Sequence, residues 1–268
     1  MRMVIDGRAI ATEIVSRTRA QIAARGTTPV VRAITIAPTP ATESYLRIKS
    51  RKAQEAGMEL VVEELPDTAT TDDVIAAVKA SGADAVIVQL PLPASIATES
   101  VLEAIPASQD ADCLSRASRE EGAPLVPPVA AAVAEICARA GVALADKRAV
   151  VVGSGWLVGA PVATYLRAQG AVVTVATRET ENLETLLQEA DVIVSGAGVA
   201  GLITPEHIRD GVVLIDAGTS ESNGALRGDI SPACAEKASV FTPVPGGVGP
   251  IAVACLFENV AILTLGKG

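Results

Sequence analysis

The sequence predicts an α/β fold of two domains, the second a Rossmann-type dinucleotide-binding domain. Three observations predict it. Short apolar strands alternate with amphipathic helix patterns along most of the 268 residues, the order that builds mostly parallel sheets. A stretch rich in Ser, Pro and charge, 106–130, interrupts that alternation. Beyond it, "VVVGSGWLVGAP" sets a glycine turn between an apolar strand and a helix.

The elements follow in order. "PVVRAITIA" is an apolar run of strand length, and 42–57 is a helical pattern closed by Gly57. "MELVVEEL" is the next strand, and "TTDDVIAAVKASG" a helix with Thr71 or Asp72 near its cap. "ADAVIVQLPLP" is a buried strand running into a proline-stiffened loop, and "IATESVLEAI" another helix. Residues 106–130 are expected as a loop between domains, followed by a helix over about 130–141. "DKRAVVVGSGWLVGAPVATYLRAQGAVVTVATRE" then reads as strand, turn, helix, strand. "ADVIVSGAG", "GVVLIDAG" and "SVFTPVP" are short strands, and "GPIAVACLFENVAILTLG" a closing helix. The expected domains are 1–120, completed by the C-terminal helix 250–268, and 121–249.

Composition excludes several functions. Hydrophobic residues make up 49% of the chain, but no run of about 18 uninterrupted apolar residues marks a transmembrane helix. The opening "MRMVIDGRAIATEIVSRTRA" is broken by Asp6, Arg8 and Glu13, unlike a signal peptide, so a cytoplasmic protein is expected. A net charge of −9 with 2% aromatics suits neither nucleic acid nor an anionic membrane surface. The cysteines, Cys113, Cys137, Cys234 and Cys255, lack CxxC spacing, and His207 is the only histidine. No metal site or Ser-His-Asp triad is expected, so acid–base chemistry falls to Lys, Asp, Glu or Tyr.

Gly153, Gly155 and Gly159 form a GxGxxxG pattern around Ser154 and Trp156. Such glycines allow a tight turn and close backbone approach, and the following helix N-terminus offers N–H groups to a pyrophosphate. The alternative, a turn that only packs helix on strand, is weakened by the complete strand–helix–strand context. Trp156 reads as a packing contact at the helix start rather than a stacking residue. The end of the second strand carries Thr177 and Arg178 where an acidic residue usually meets a ribose 2′-hydroxyl. An arginine there suits a 2′-phosphate and favours NADP, while Glu179 next to it leaves NAD open.

In "ESYLRIKSRKA", Tyr45 and Lys49 lie four apart and share one helix face. Arg47, Arg51 and Lys52 make an exposed basic face the plain alternative. Short-chain dehydrogenases also carry a YxxxK pair, but there the glycine loop comes first and the pair later. Gln89 ends a buried strand, where ligands of open α/β sheets sit and where an amide needs a partner. "TPVPGGVGPI" is stiff at Pro243, Pro245 and Pro250 and permissive at Gly246, Gly247 and Gly249. Such a loop brings backbone close to a ligand, or is an elaborate turn into the last helix.

Taken together, "IDGRAIA", "YLRIKSRKAQEAG", "VQLPLP", "DAD", "VVVGSGWLVGAPVA", "GDI" and "TPVPGGVGP" resemble, nearly end to end and in order, the bifunctional methylenetetrahydrofolate dehydrogenase/cyclohydrolase family (the FolD proteins). The resemblance implies two α/β domains around a cleft, a homodimer, tetrahydrofolate substrates and NADP. It implies that Lys49 is the acid–base residue, that Tyr45 stacks on the aminobenzoyl ring and that Gln89 bonds and tunes the lysine. Asp112 would grip the pterin. Leu90 and Pro91 would border the folate, and Pro245, Gly246 and Gly247 would line the folate and nicotinamide side. Oxidising the methylene bridge sends a hydride to the nicotinamide, and water then attacks the methenyl cation. An amine beside a cationic substrate loses its preference for the protonated form, so a lysine serves as a base.

The chain departs from the family pattern in four places. Gly153-Ser154-Gly155 replaces Gly-Arg-Ser, Ala176-Thr177-Arg178 replaces Cys-His-Ser, Cys113 replaces a glycine, and "VPPVAA" (126–131) replaces a Pro-Cys-Thr-Pro segment. The expected function is oxidation of 5,10-methylenetetrahydrofolate with NADP, then hydrolysis to 10-formyltetrahydrofolate. Three alternatives remain at this point. The chain is a single-activity or NAD-dependent member, a non-catalytic folate or dinucleotide sensor, or another two-domain dehydrogenase.

Overall fold

The computed structural model describes residues 2–80, 82–120, 123–222 and 225–266. In chain order the first elements are β1 Met3–Val4, α1 Gly7–Arg25, β2 Val30–Ile36, α2 Pro40–Glu55, β3 Glu59–Leu65, α3 Thr71–Lys79, β4 Ala85–Val88 and α4 Thr98–Glu103. Next come α5 Pro128–Arg139, β5 Arg148–Val152, α6 Gly159–Ala168, β6 Val172–Ala176, α7 Leu183–Glu189 and β7 Val192–Ser195. The chain closes with β8 Val213–Asp216, β9 Ser220–Ser222, β10 Ala225–Arg227, β11 Val240–Phe241 and α8 Val248–Leu265. It divides into two compact units, one of residues 12–128 with the C-terminal segment from 253, the other of 1–11 with 129–252.

The 12–128 unit holds a parallel three-stranded sheet ordered β3-β2-β4. β2 is central and β4 is buried along its whole length, so both read as near-continuous apolar runs. α3 buries Val74, Ala77 and Val78, and each fully buried valine contributes about 1.5–3 kcal/mol. These side chains pack with Ile34, Ile36, Val86, Val88, Val101 and Leu102 in one core cluster.

The other unit carries a six-stranded, all-parallel sheet ordered β1-β11-β8-β7-β5-β6. Its strand order reverses at β5, which has β6 on one side and β7 on the other. Ligands of open α/β sheets bind beyond the strand ends at such a point, and β5 runs directly into Gly153. The core here includes Val150, Val152, Ile193, Ile203, Leu214 and Phe241.

The α/β reading holds, with local corrections. α2 begins at Pro40 rather than 42, because Thr39 caps it: its Oγ1 accepts from the Thr42 N–H at 3.2 Å. α3 is capped by Thr70, not Thr71 or Asp72. The Thr70 hydroxyl accepts from the Asp73 N–H at 3.3 Å and the Asp73 carboxylate accepts from the Thr70 N–H at 2.8 Å, a reciprocal capping box. α5 begins at Pro128 instead of 130, with proline at a position that lacks an intrahelical acceptor. Within the expected 106–130 loop, 117–119 forms a 3₁₀ turn, and residues 121–122 lie outside the described residues.

Two helices were not expected, α1 and α7. The buried stripe of α1 includes Ala11 and Thr18 beside Ile10, Ile14, Val15 and Ile22, and these small or polar residues dilute the apolar signal. α8 is long and apolar enough to cross a membrane by length and composition. Its Glu258 nonetheless pairs with Arg17, at 2.7 Å, and its buried Asn259 donates to the carbonyls of Ala111 and Val126, each at 2.9 Å. Those are the contacts of a helix packed on its own chain.

Candidate active site

The site is built first on α2 and the end of β4. Leu46, Ala53 and Ala56 are buried and anchor α2 on the sheet. Tyr45 and Lys49 lie one turn apart on a less buried face, with Tyr45 40% exposed. The backbone N–H of Gln89 donates to the Ile34 carbonyl at 2.9 Å, which fixes the strand end. Its side-chain NH₂ donates to the Leu90 carbonyl at 2.9 Å, which turns the amide oxygen the other way. Lys49 Nζ donates to that oxygen at 3.1 Å. Two residues forty apart in sequence are thereby joined. The Leu90–Pro91 peptide that follows is cis.

Asp112 stands on a loop organised by Asp110, which sequence reasoning passed over. The fully buried Asp110 carboxylate accepts from the N–H groups of Leu114, at 2.9 Å, and Ser115, at 2.7 Å. It also accepts from the hydroxyls of Ser115, at 2.7 Å, and Ser118, at 2.6 Å. Asn259 holds the carbonyl of Ala111 from α8. A lone asparagine inside so apolar a helix was the available signal for it. Burial pushes the Asp112 carboxyl above its ordinary range, the Lys49 ammonium pulls it back, Asp110 raises it and Arg119 lowers it. Asp112 thus lies within electrostatic reach of Lys49.

Cys113 takes a left-handed φ of 52°. That conformation costs a non-glycine residue about 1–2 kcal/mol. Arg119 Nε donates to its carbonyl and holds it there. Burial pushes the Cys113 thiol up to about 12, so it is protonated at neutral pH and a poor nucleophile.

The other unit presents the glycine loop. Gly153 has φ +99°, a conformation other residues rarely adopt. A Cβ on Gly159 would overlap the Gly153 carbonyl oxygen and lie 2.7 Å from its carbon, so the start of α6 packs directly on the turn. A Cβ on Gly155 would meet nothing within 4 Å, so the middle of the loop is open to a ligand. Ser154 is exposed, and Trp156 is 40% exposed rather than packed away.

Beyond β6, the Thr177 N–H donates to Thr180 Oγ1 at 2.9 Å and the Thr177 hydroxyl donates to Glu179 Oε2 at 3.3 Å. The Glu179 carboxylate is therefore turned back on its own loop. Arg178 is exposed and makes no hydrogen bond or ion pair with another described residue.

The Pro-Gly loop is tied to the chain's opening. Asp6 Oδ1 caps α1 by accepting from the N–H groups of Arg8, at 3.1 Å, and Ala9, at 3.0 Å. The Gly7 N–H donates to the Gly246 carbonyl at 2.9 Å. A Cβ on Gly7 would overlap the Gly247 carbonyl oxygen and sit 2.6 Å from that of Gly246. "IDGRAIA" and "TPVPGGVGP" are thus two sides of one contact. Pro245 follows a cis peptide and is exposed, and Gly246 has φ +107°. Among the described residues, no three His, Cys, Asp or Glu side chains converge as a metal site requires.

Comparison with known proteins gives two family matches. Residues 5–112 match the tetrahydrofolate dehydrogenase/cyclohydrolase catalytic domain, and residues 127–266 match the NAD(P)-binding domain of the same family. The chain is 36% identical to the bifunctional protein FolD of Methanospirillum hungatei, over 97% of this chain and 96% of that one. Among solved structures, the bifunctional FolD enzyme of Campylobacter jejuni superposes with a TM-score of 0.95 at 28% identity, covering 100% of both chains. The Trypanosoma brucei FolD enzyme, complexed with NADP cofactor and an inhibitor, gives 0.93 at 32% identity, covering 99% of this chain and 98% of that one.

Proposed function

Because the chain belongs to the tetrahydrofolate dehydrogenase/cyclohydrolase family, we infer that it oxidises 5,10-methylenetetrahydrofolate to 5,10-methenyltetrahydrofolate with NADP and then hydrolyses that product to 10-formyltetrahydrofolate. The observation that carries the assignment of residues is the hydrogen bond from Lys49 Nζ to Gln89 Oε1, 3.1 Å long. It gives the lysine one fixed direction, as proton transfer requires.

NADP, when bound, supplies a hydride acceptor. The residues fit it. The open face at Gly155 leaves backbone accessible to a pyrophosphate, and the unengaged Arg178 suits a 2′-phosphate. Gly153, Ser154, Gly155, Gly159 and Thr177 would complete the loop around it, with Trp156 at its rim.

In the folate half, Tyr45 offers its half-exposed ring for stacking, worth about 0.5–1.5 kcal/mol beyond buried area. Leu90 and Pro91 form an apolar border beside Gln89. The partly buried Asp112 would take the polar edge of the pterin through its carboxyl. Lys49 would take a proton from the water that attacks the methenyl carbon and return it to N5 as the N5–carbon bond breaks, the remaining hydroxyl proton passing to solvent as the formyl C=O forms, while Gln89 holds the amine in line. Pro245, Gly246 and Gly247 would present backbone to the ligand.

The test mixes the purified protein with methylenetetrahydrofolate and either NADP or NAD, following reduced cofactor and methenyl absorbance together. Reduction with NADP and no lasting methenyl signal is expected. Methenyl accumulation would remove the hydrolytic half, and no change with either dinucleotide would overturn the dehydrogenase.

Arg178→Ala is expected to raise the KM for NADP by about 10–100-fold, the loss of one charge-assisted contact, while the KM for NAD changes little. Steady-state assays with both dinucleotides read the ratio, and an unchanged ratio would end the role given to Arg178.

The substrates are folates, and the protein is proposed to act in the cytoplasm, where fractionation of a tagged chain should recover it, and not at a membrane or on nucleic acid. A homodimer is also proposed. In support, β3 is an edge strand with one unpaired side and leaves Val61 41% and Val62 43% exposed. Sedimentation equilibrium should give twice the 27.2 kDa chain mass; a monomer at every concentration would dismiss it.

A further inference from the structure

Two buried carboxylates take no part in this chemistry, Asp216 and Asp229, exposed 1% and 0%. Asp216 ends β8, and Asp229 is the acid of "GDI". Asp229 Oδ2 accepts from the Ser195 hydroxyl at 2.7 Å and from the N–H groups of Ala197, at 2.7 Å, and Gly198, at 3.2 Å. Its Oδ1 accepts from the Val199 N–H at 2.8 Å. Three consecutive backbone donors of the turn after β7 therefore converge on one side chain. Asp216 holds the segment that carries it, accepting from the N–H groups of Gly218 at 3.1 Å, Asp229 at 3.2 Å and Ile230 at 2.8 Å. The two acids interlock through glycines. A Cβ on Gly218 would overlap the Asp229 carboxylate, and one on Gly228 would overlap Asp216 Oδ2.

The turn held in this way packs on the glycine loop. A Cβ on Gly153 would lie 2.8 Å from the Gly196 carbonyl oxygen. A Cβ on Gly196 would overlap a Val158 methyl and lie 2.9 Å from the Val158 Cβ. Gly196 thus touches both ends of the 153–158 loop, and Asp229 fixes the three residues that follow it. One of these contacts is with backbone and the other with the short, branched Val158 side chain, and packing this close transmits a displacement rather than absorbs it.

We propose that Asp229 is a positioning residue for the dinucleotide: through the backbone of the 196–199 turn it sets the shape of the Gly153–Val158 loop. The proposal rests on the dinucleotide role given to that loop above. An amide in place of the carboxylate has one acceptor oxygen for four donors, and its NH₂ faces N–H groups.

The test compares the unaltered chain, Asp229→Asn and Ser195→Ala, in their full length. NADP affinity is read by titration calorimetry, and each activity is read separately. Asp229→Asn is expected to weaken NADP binding and raise its KM by about tenfold or more, with kcat at saturating NADP changed less than about threefold. Hydrolysis of added methenyltetrahydrofolate, which consumes no dinucleotide, should stay within about twofold of the unaltered chain. Ser195→Ala, which removes one of the four donors, should weaken NADP binding by about two- to fivefold. An Asp229→Asn protein with unaltered NADP affinity would overturn the proposal. So would an equal fall in both activities, which marks a merely structural role. If Asp229→Asn fails to fold, unchanged NADP affinity in Ser195→Ala overturns it and a graded loss supports it. No NADP binding by the unaltered chain would instead sink the reading on which the proposal rests.

Discussion

Lys49→Met lowers methenyltetrahydrofolate hydrolysis by about 10²–10⁴-fold, the usual worth of a positioned general acid–base group, while folate still binds. Methionine keeps much of the length of the lysine stem and removes its nitrogen, so the apolar contacts of α2 survive. What disappears is the donor 3.1 Å from Gln89 Oε1. The amide is only partly buried, so water can meet its oxygen and the fold should tolerate the change. The decay of methenyl absorbance reads the rate, and a titration with folate reads binding. Hydrolysis at the unaltered rate would take the proton-transfer role away from Lys49. Loss of folate binding in step with activity would make the lysine a binding group instead.

Gly159→Ala is expected to damage both the stability of the nucleotide-binding unit and its glycine loop. The added carbon would overlap the Gly153 carbonyl oxygen and lie 2.7 Å from the Gly153 carbon and 3.0 Å from the Ser154 Cα. All three are backbone atoms, so no side chain can swing aside. Either α6 or the turn must move. Overpacking of this kind costs about 1–3 kcal/mol of stability, and it distorts the loop that would meet the pyrophosphate. Urea unfolding should show the loss of stability and titration a loss of NADP affinity.

Gly155→Ala is the informative contrast. Its Cβ meets nothing within 4 Å, so stability should stay within about 0.5 kcal/mol, and only NADP affinity should fall. Equal stability losses in the two variants would contradict this division between a glycine that packs on protein and one left open for a ligand.

Much of the candidate site was legible because its cues are local. The four-residue spacing of Tyr45 and Lys49 places them on one helix face whatever the rest of the chain does. The glycine turn after an apolar strand is a local cue of the same kind, and so is the polar amide of Gln89 at the end of "AVIV". Even so, the helix starts were read two residues away from their true places at Pro40 and Pro128. A cap is chosen by which hydroxyl reaches a free N–H, and adjacent threonines, as at Thr70 and Thr71, differ only in geometry.

What the sequence by itself determined is the kind of most elements, though not of α1 and α7, and the chemistry their side chains bring, since backbone periodicity and residue type act over a few residues. The tertiary structure alone decided the partnerships across long separations. It set the two-residue β1 beside β11 and packed Gly7 on the Gly246–Gly247 backbone. It also aimed four donors at Asp110 and four at Asp229, and gave Asn259 two distant carbonyls to hold. The physical reason is that a buried polar group must find partners wherever the folded chain brings them. Neither spacing nor propensity records which backbone will arrive.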